Sequence, residues 1–463
     1  MDQVQVLWGI GGMVLLLALA FALSTNRRAI RPRTVIGALA IQVLFAFIVL
    51  RWDTGERALA VVSAGVQNVI DSSEEGIEFL VGPILPSEGT VVAFQVLPLI
   101  VFVASLTAVL YHWNILQWVV RIVGGGLQKV LGTSRAESMN ATANIFLGQT
   151  EAPLVIRPYL KNMTRSELFA VMVGGLSTVA GSVLVGYATL GARLDYLLAA
   201  AFMAAPAALL MAKIIMPETE KAETALGTPL VNDPAAKTET STQLGGDKQA
   251  AEGAPESEAE SATTRTAVAS SDDADNDTDA KDTEAEQGEP RKAHNVLDAA
   301  ANGATDGLRL ALNVGAMLFA FVSLIALVNL ILGGVGGLVG LPELTIQQML
   351  GYLFAPIMSA IGVPWNEAVA AGSFVGQKFA INEFVAFADF GPVAGDFTPK
   401  TATIITFALT GFANLSSLAI LLGGLGGLAP NQRPRIAKFG VRAILAGTLA
   451  NLLSATIAGM LIG

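Results

Sequence analysis

The chain has 463 residues, 53% hydrophobic and only 14% charged. Soluble globular proteins carry about 25% charged residues, so most of this chain is not made to face water. The formal net charge is −10, but residues 217–290 hold 19 Asp/Glu against 5 Lys/Arg, which leaves the rest of the chain at +4. The chain has no cysteine, which excludes disulfides and thiolate metal centres.

Eight apolar runs follow one another: 7–24, 35–50, 91–113, 166–190, 194–216, 308–332, 403–428 and 443–462. Each approaches or exceeds the roughly 20 residues that a helix needs to cross the hydrocarbon core. Met1-Asp2-Gln3 lacks the basic start of a cleaved signal peptide, so the first run is expected to remain as a span. Arg27, Arg28, Arg31 and Arg33 follow it closely and place that loop in the cytoplasm by the positive-inside rule. Later clusters at Arg121, Lys129 and Arg135, at Arg157, Lys161 and Arg165, and at Arg433, Arg435 and Lys438 fall on the same side in an eight-span topology. Both termini and the acidic stretch 53–88 then lie outside. Residues 217–290 contain no aromatic residue and are dense in Ala, Glu, Asp, Thr and Ser. Such a segment buries too little apolar surface to offset its conformational entropy, and we expect a disordered cytoplasmic spacer.

Two segments are poor simple spans. Residues 134–160 contain Asn140, Asn144, Gln149, Glu151 and Pro153, and residues 346–390 are interrupted at Gly362-Val363-Pro364 and again at Gly376-Gln377-Lys378. Irregular backbone at membrane depth is tolerated only where protein or water covers it, so both are expected to be re-entrant hairpins. Gly148-Gln149-Thr150-Glu151 in the first is echoed by Gly376-Gln377-Lys378 followed by Asn382-Glu383 in the second. Each hairpin precedes a span rich in small residues, and an odd number of crossings separates the two units, which makes them inverted repeats. The expected fold class is an all-α polytopic membrane protein of eight transmembrane helices with two re-entrant hairpins. Its parts are N-terminal scaffold spans (1–115), a first repeat (116–216, hairpin 134–160), the acidic loop (217–294) and a second repeat (295–463, hairpin 346–390).

Interrupted segments in corresponding halves point to a transporter's binding site. Glu151 and Glu383 carry that reading, because a carboxylate at membrane depth costs at least about 2.5 kcal/mol and normally faces a cavity. A structural carboxylate tied to a helix N-terminus is the alternative for either residue alone. Around them stand Asn144, Gln149, Thr150, Thr178, Asn382, Asn414, Ser416 and Ser417; Thr178 and Ser416 are equally accounted for by helix packing. Carboxylates, amides and hydroxyls without a basic cluster suit a neutral, hydroxyl-rich solute, since carboxylates accept from hydroxyls and amides both donate and accept. His112 and His294 are isolated, unlike clustered metal ligands, and the glycine runs at 124–126 and 423–427 lack the strand context of a phosphate loop. No catalytic constellation is visible, so no enzyme activity is expected.

Residues 136–187 (AESMNATANIFLGQTEAPLVIRPYLKNMTRSELFAVMVGGLSTVAGSVLVGY), 362–387 (GVPWNEAVAAGSFVGQKFAINEFVAF) and 411–459, which open with GFANLSS, resemble the concentrative nucleoside transporter family. STNRRAI after the first span is also similar, and only the acidic insert lies outside the family pattern. The resemblance implies a homotrimeric carrier in the inner cell membrane that works by elevator-type alternating access, with one site per protomer. Carried over by position, Gln149, Thr150 and Glu151, with Val183 nearby, would meet a nucleobase. Glu383, Asn414 and Ser417 would hold ribose hydroxyls, with Phe412 packed beside the substrate. A coupling sodium ion would sit at the side chains of Asn144 and Thr178 and the carbonyls of Leu147 and Val179. A proton carried on Glu151 or Glu383, and another small polar solute, remain the alternatives. No further cofactor and no nucleic acid partner are expected.

Overall fold

The computed structural model describes residues 3–85, 91–225, 293–338, 340 and 343–462. All its regular elements among these residues are helices; six are long and apolar enough to cross a membrane, and the shorter apolar helices Val6–Ala22 and Ser417–Leu428 occupy the places of the other two expected spans. Spans 1 and 2 are α1 (Gln3–Ala22) and α2 (Pro32–Arg51). An amphipathic helix, α3 (Asp53–Val81), follows, with Ile70, Ser73 and Ile77 as its buried stripe. This spacing of three and four residues is one helical face. Span 3 is α4 (Leu97–His112), and α5 (Ile115–Leu131) leads from it to the first hairpin.

That hairpin descends as α6 (Arg135–Ala143) and returns through a 3-10 turn at Ala152–Ile156 and α7 (Arg157–Leu160). Its start is set locally: Ser134 and Glu137 form a reciprocal capping box, which satisfies two backbone donors at the helix entry. Thr164 and Glu167 do the same for the next span. Span 4 is broken: α8 (Arg165–Ser177) ends, residues 178–180 are extended or irregular, and α9 (Gly181–Thr189) resumes. Span 5 is α10 (Leu194–Ile215), and span 6 is α11 (Val296–Gly337), 42 residues long. At 1.5 Å per residue α11 far exceeds a bilayer's ~30 Å core, so the expected span 308–332 is only its central part.

Residues 346–390 form three helices: α12 (Ile346–Ala360), α13 (Trp365–Ala380) and α14 (Glu383–Phe390). The axis turns by 118° between α12 and α13, at the Gly362–Pro364 interruption. The second expected break, at Gly376-Gln377-Lys378, is not there. These residues continue α13, and the chain turns at Ile381–Asn382 instead. The glycine serves close packing: a Cβ on Gly376 would lie 2.6 Å from Leu350 Cβ of α12. The hairpin tip is therefore made by α13 and α14. Span 7 is α15 (Pro399–Leu409) and α16 (Ser417–Leu428), unwound between them, and span 8 is α17 (Arg433–Ile462).

Burial sorts the helices. In α10 and α17 about nine and eight tenths of the apolar window are inside the protein (89% and 83%), against 6% in α11. The inner spans are rich in Ala and Gly, which lets backbones approach where packing rather than hydrophobicity drives association. Even peripheral α11 uses this device toward α4, where a Cβ on Gly303 would fall 2.5 Å from Ala108 Cβ.

The acidic loop begins later than composition suggests. Residues 217–225 are built against the base of the first hairpin: the Arg135 amide donates to Thr224 O (2.9 Å), and Thr164 Oγ1 donates to Glu218 Oε2 (2.8 Å). Nearby, Lys213 is buried in an ion pair with Glu137 and donates to Ser166 Oγ (2.7 Å). The remainder of the segment expected to be disordered, residues 226–292, lies outside the described residues, whereas 293–294 lead directly into α11, with the His294 amide donating to Asp298 (2.8 Å).

Candidate functional site

Two hairpin tips and two helix breaks meet in the middle of the fold. Phe146 O at the first tip accepts from the Gly181 amide (3.1 Å), which ties that tip to the break in span 4. Thr178 O accepts from the Phe412 amide (3.1 Å), which joins the two breaks to each other. The Leu415 amide donates to Phe379 O (3.3 Å) and Ser416 Oγ to Ile381 O (3.4 Å), which tie the break in span 7 to the second tip.

Between these elements lies a cavity of about 120 Å³, room for several waters at the 10–15 Å³ that one water centre requires. Gln149, Thr150, Glu151, Val183, Glu383, Phe412, Asn414 and Ser417 all line it, so the eight residues matched to a substrate come together on one wall or another. Leu310, Val314 and Met317 of α11 form an apolar side that the sequence did not single out.

Glu383 is the most constrained of the polar groups. Tyr187 Oη donates to its Oε1 (3.0 Å) and Asn414 Nδ2 to its Oε2 (2.8 Å). Asn414 is itself held, because its Oδ1 accepts from Ser416 Oγ (2.7 Å) and from the Ser417 amide (2.8 Å). Tyr187 is fully buried, stacked on Phe387 at 4.3 Å and edge-on to Phe384 at 5.4 Å. Each oxygen of Glu383 thus accepts one fixed hydrogen bond and keeps further acceptor capacity beside the cavity that the residue lines. Asn382 is occupied differently, since its Oδ1 caps α14 by accepting from the Val385 amide (2.9 Å).

The first tip is looser. Thr150 and Glu151 are exposed, and Glu151 makes one long contact, accepting from the Gly148 amide at 3.4 Å. Gln149 is buried, yet its Oε1 has no hydrogen-bond partner. A buried acceptor left unpaired costs about 1–3 kcal/mol, so the Gln149 amide gains by pairing with a donor brought to it.

Asn144, Leu147, Thr178 and Val179 do not line this cavity. They are buried behind the first tip, where the C-terminal ends of α6 and α8 meet. Asn144 Nδ2 donates to Asn140 O (2.9 Å), while its Oδ1 has no partner. Thr178 Oγ1 donates to Gly174 O (2.9 Å) and keeps its lone pairs. The orphaned amide oxygen and the hydroxyl's free lone pairs are oxygen donors of the kind a hard cation takes.

Sequence reasoning missed Tyr187, Lys378 and Asn451. Asn451 was findable as a lone amide in the apolar last span, since polar groups at that depth are costly. Lys378 stood in plain view but was read as part of a break.

Comparison with known proteins adds three matches along the chain. Residues 11–84 match the family described as Na+ dependent nucleoside transporter N-terminus, residues 93–194 the one described as Nucleoside recognition, and residues 196–459 the Na+ dependent nucleoside transporter C-terminus. The uncharacterized transporter YutK of Bacillus subtilis is 50% identical over 99% of this chain and 100% of its own length. The nucleoside permease NupC of Helicobacter pylori is 42% identical over 99% and 98%. Sodium/nucleoside cotransporter 2 of Rattus norvegicus is 33% identical over 97% of this chain and 62% of its own. Among solved structures, CNTnw in an inward-facing substrate-bound state superposes with a TM-score of 0.82 at 44% identity, covering 99% of this chain and 98% of that one. A CNTnw variant in an outward-facing state gives 0.82 at 44%, covering 98% and 97%.

Proposed function

The chain belongs to the concentrative nucleoside transporter family, a family of multi-pass cell-membrane permeases rather than enzymes, and from that premise we propose that it takes up nucleosides by sodium symport. The observation that carries the reading is Glu383, a carboxylate held by Tyr187 and Asn414 on the wall of the cavity between the hairpin tips and the helix breaks. A pair of ribose hydroxyls can donate to it, with Asn414 and Ser417 alongside. Gln149, with its unpaired Oε1, takes a donor on the nucleobase edge, Thr150 and Glu151 complete that end, and Val183 and Phe412 flank the rings.

Sodium is assigned to Asn144, Thr178 and the carbonyls of Leu147 and Val179. The support is the all-oxygen donor set and the unpaired Asn144 Oδ1. A cation there offsets the negative ends of α6 and α8 and draws the first tip, with Gln149 on it, against span 4. Ion and nucleoside binding are then coupled reciprocally. One positive charge entering down an inside-negative potential of ~100 mV supplies about 2.3 kcal/mol, enough for roughly fiftyfold accumulation of a neutral solute at about 1.4 kcal/mol per tenfold.

Transport is by alternating access of the elevator type in a homotrimer. The similarity to CNTnw in both inward- and outward-facing states supports a site that is carried between the two sides.

Uptake of labelled uridine and adenosine into proteoliposomes, with and without an inward sodium gradient, tests the reading. Sodium-driven accumulation above the outside concentration is the expected result. Uptake that persists without sodium and collapses with an uncoupler would transfer the role to a proton on Glu151 or Glu383. Competition by amino acids in place of nucleosides would remove the substrate assignment.

A further inference from the structure

The two repeats place the same elements in the same relation. In the first, the end of hairpin helix α6 meets the end of α8, the first half of broken span 4. In the second, the end of hairpin helix α13 meets the end of α15, the first half of broken span 7. The caps match in detail: Thr178 Oγ1 donates to the carbonyl four residues back (Gly174 O, 2.9 Å), and Thr410 Oγ1 does the same to Thr406 O (2.7 Å). Each junction therefore gathers terminal carbonyls that lack intrahelical amide partners and the negative poles of two half-helices. The first junction holds an orphaned Asn144 oxygen. The second holds an ammonium.

Lys378, in the last turn of α13, is 1% exposed. Its Nζ donates to Ala408 O at the end of α15 (2.6 Å) and to Asn451 Oδ1 (2.9 Å), and among the described residues it forms no ion pair. Asn451 turns its Nδ2 to Ser177 O (2.7 Å) and Thr410 O (2.8 Å), the last turns of both broken helices. This approach requires glycine at 411, where a Cβ would lie 2.3 Å from Asn451 Oδ1. A buried ammonium with no carboxylate in contact is costly; Glu383 acts on it only at longer range, and what touches it is a set of helix-end carbonyl and amide oxygens, the ligand type that the first junction offers to a cation.

We propose that Lys378 is the resident cation of the second repeat, the counterpart of the coupling ion in the first, so that the pair of junctions needs one ion from solution rather than two. Asn451 relays its charge to the end of span 4, which joins the fixed cation to the exchangeable one. Lys378 is thus a positioning residue: it holds the second tip, and Glu383 five residues on, against span 7. The inference rests on the sodium reading above.

The test titrates sodium against choline at constant ionic strength on the purified full chain in nanodiscs, with uridine affinity read by calorimetry. In the unmodified chain, the logarithm of affinity rises with the logarithm of subsaturating sodium with a slope of one. Lys378→Ser vacates the junction and is expected to raise that slope to two, because a second sodium must fill it. Lys378→Arg retains the charge and is expected to keep a slope of one whatever its affinity. Lys378→Met keeps the volume without charge or room for an ion, and is expected to bind uridine at least about tenfold more weakly at every sodium concentration. A slope of one in the Ser variant, a slope of two in the Arg variant, or full affinity in the Met variant overturns the proposal. Should the Ser variant not fold, the Arg and Met arms decide. A slope of zero in the unmodified chain sinks the sodium reading instead, and the Met arm still reports on Lys378.

Discussion

Asn414 donates to Glu383 across 2.8 Å, from the break of one span to the tip of the neighbouring hairpin. Because Asn414 Oδ1 is already taken by Ser416 and Ser417, its amide cannot flip, and it presents only a donor to the carboxylate. The polar end of the cavity is thereby rigid, whereas the Gln149–Glu151 end has unpaired or weakly paired groups.

Glu383→Gln removes the charge and places an amide opposite Asn414 and Tyr187, two donors. A hydrogen bond to a charged group is worth about 1.5–3 kcal/mol, so nucleoside affinity is expected to fall roughly tenfold to more than a hundredfold. Calorimetric binding of uridine measures it. Near-unchanged affinity would detach Glu383 from the ribose.

Asn144→Ala deletes the orphaned oxygen behind the first tip. The sodium concentration for half-maximal uridine binding should rise by about tenfold or more, while affinity at saturating sodium recovers, as coupling between two sites requires. A loss of affinity that saturating sodium leaves in place would make Asn144 a substrate contact or a packing residue.

Gly175→Ala tests how tightly the first tip is seated. The added Cβ would meet Gln149 Cβ at 2.8 Å and Gln149 Cα at 3.3 Å, and backbone cannot swing aside as a flexible side chain would. Overpacking of this kind costs about 1–3 kcal/mol. Weaker uridine binding with little change in thermal stability is expected, since the tip can yield where the bundle cannot. An equal loss of stability in the sodium-free and uridine-free protein would place the strain in the bundle.

The two ends of the acidic segment should behave differently. Removal of residues 226–292 with a short Gly/Ser bridge is expected to leave sodium-driven uptake within about twofold, because a stretch of that composition, acidic and without aromatic residues, offers little apolar surface to bury. Extending the deletion back to 217 removes Glu218 and Thr224, partners of Thr164 and of the Arg135 and Ala136 amides at the hairpin base. Lower thermal stability and lower uptake should follow. Equal behaviour of the two deletions would show that 217–225 is dispensable.

Local chemistry alone determined much of this protein. Apolar run length set the spans, because lipid admits only backbone that satisfies itself. The Ser134–Glu137 and Thr164–Glu167 boxes set where the first hairpin and span 4 begin, since a cap acts over three residues. The expense of a carboxylate at membrane depth singled out Glu151 and Glu383; the structure buries Glu383 and leaves Glu151 exposed at its tip. Tertiary structure alone decided the rest: that the second tip turns at Ile381–Asn382, that Gly376 serves packing, that residues 217–225 are docked, and that Tyr187 and Asn451 hold the centre together. Those outcomes depend on partners 196 residues apart for Tyr187 and Glu383, and 274 apart for Asn451 and Ser177. No local pattern encodes such a pairing. It exists only once two inverted repeats have closed on each other and brought their helix ends to one place.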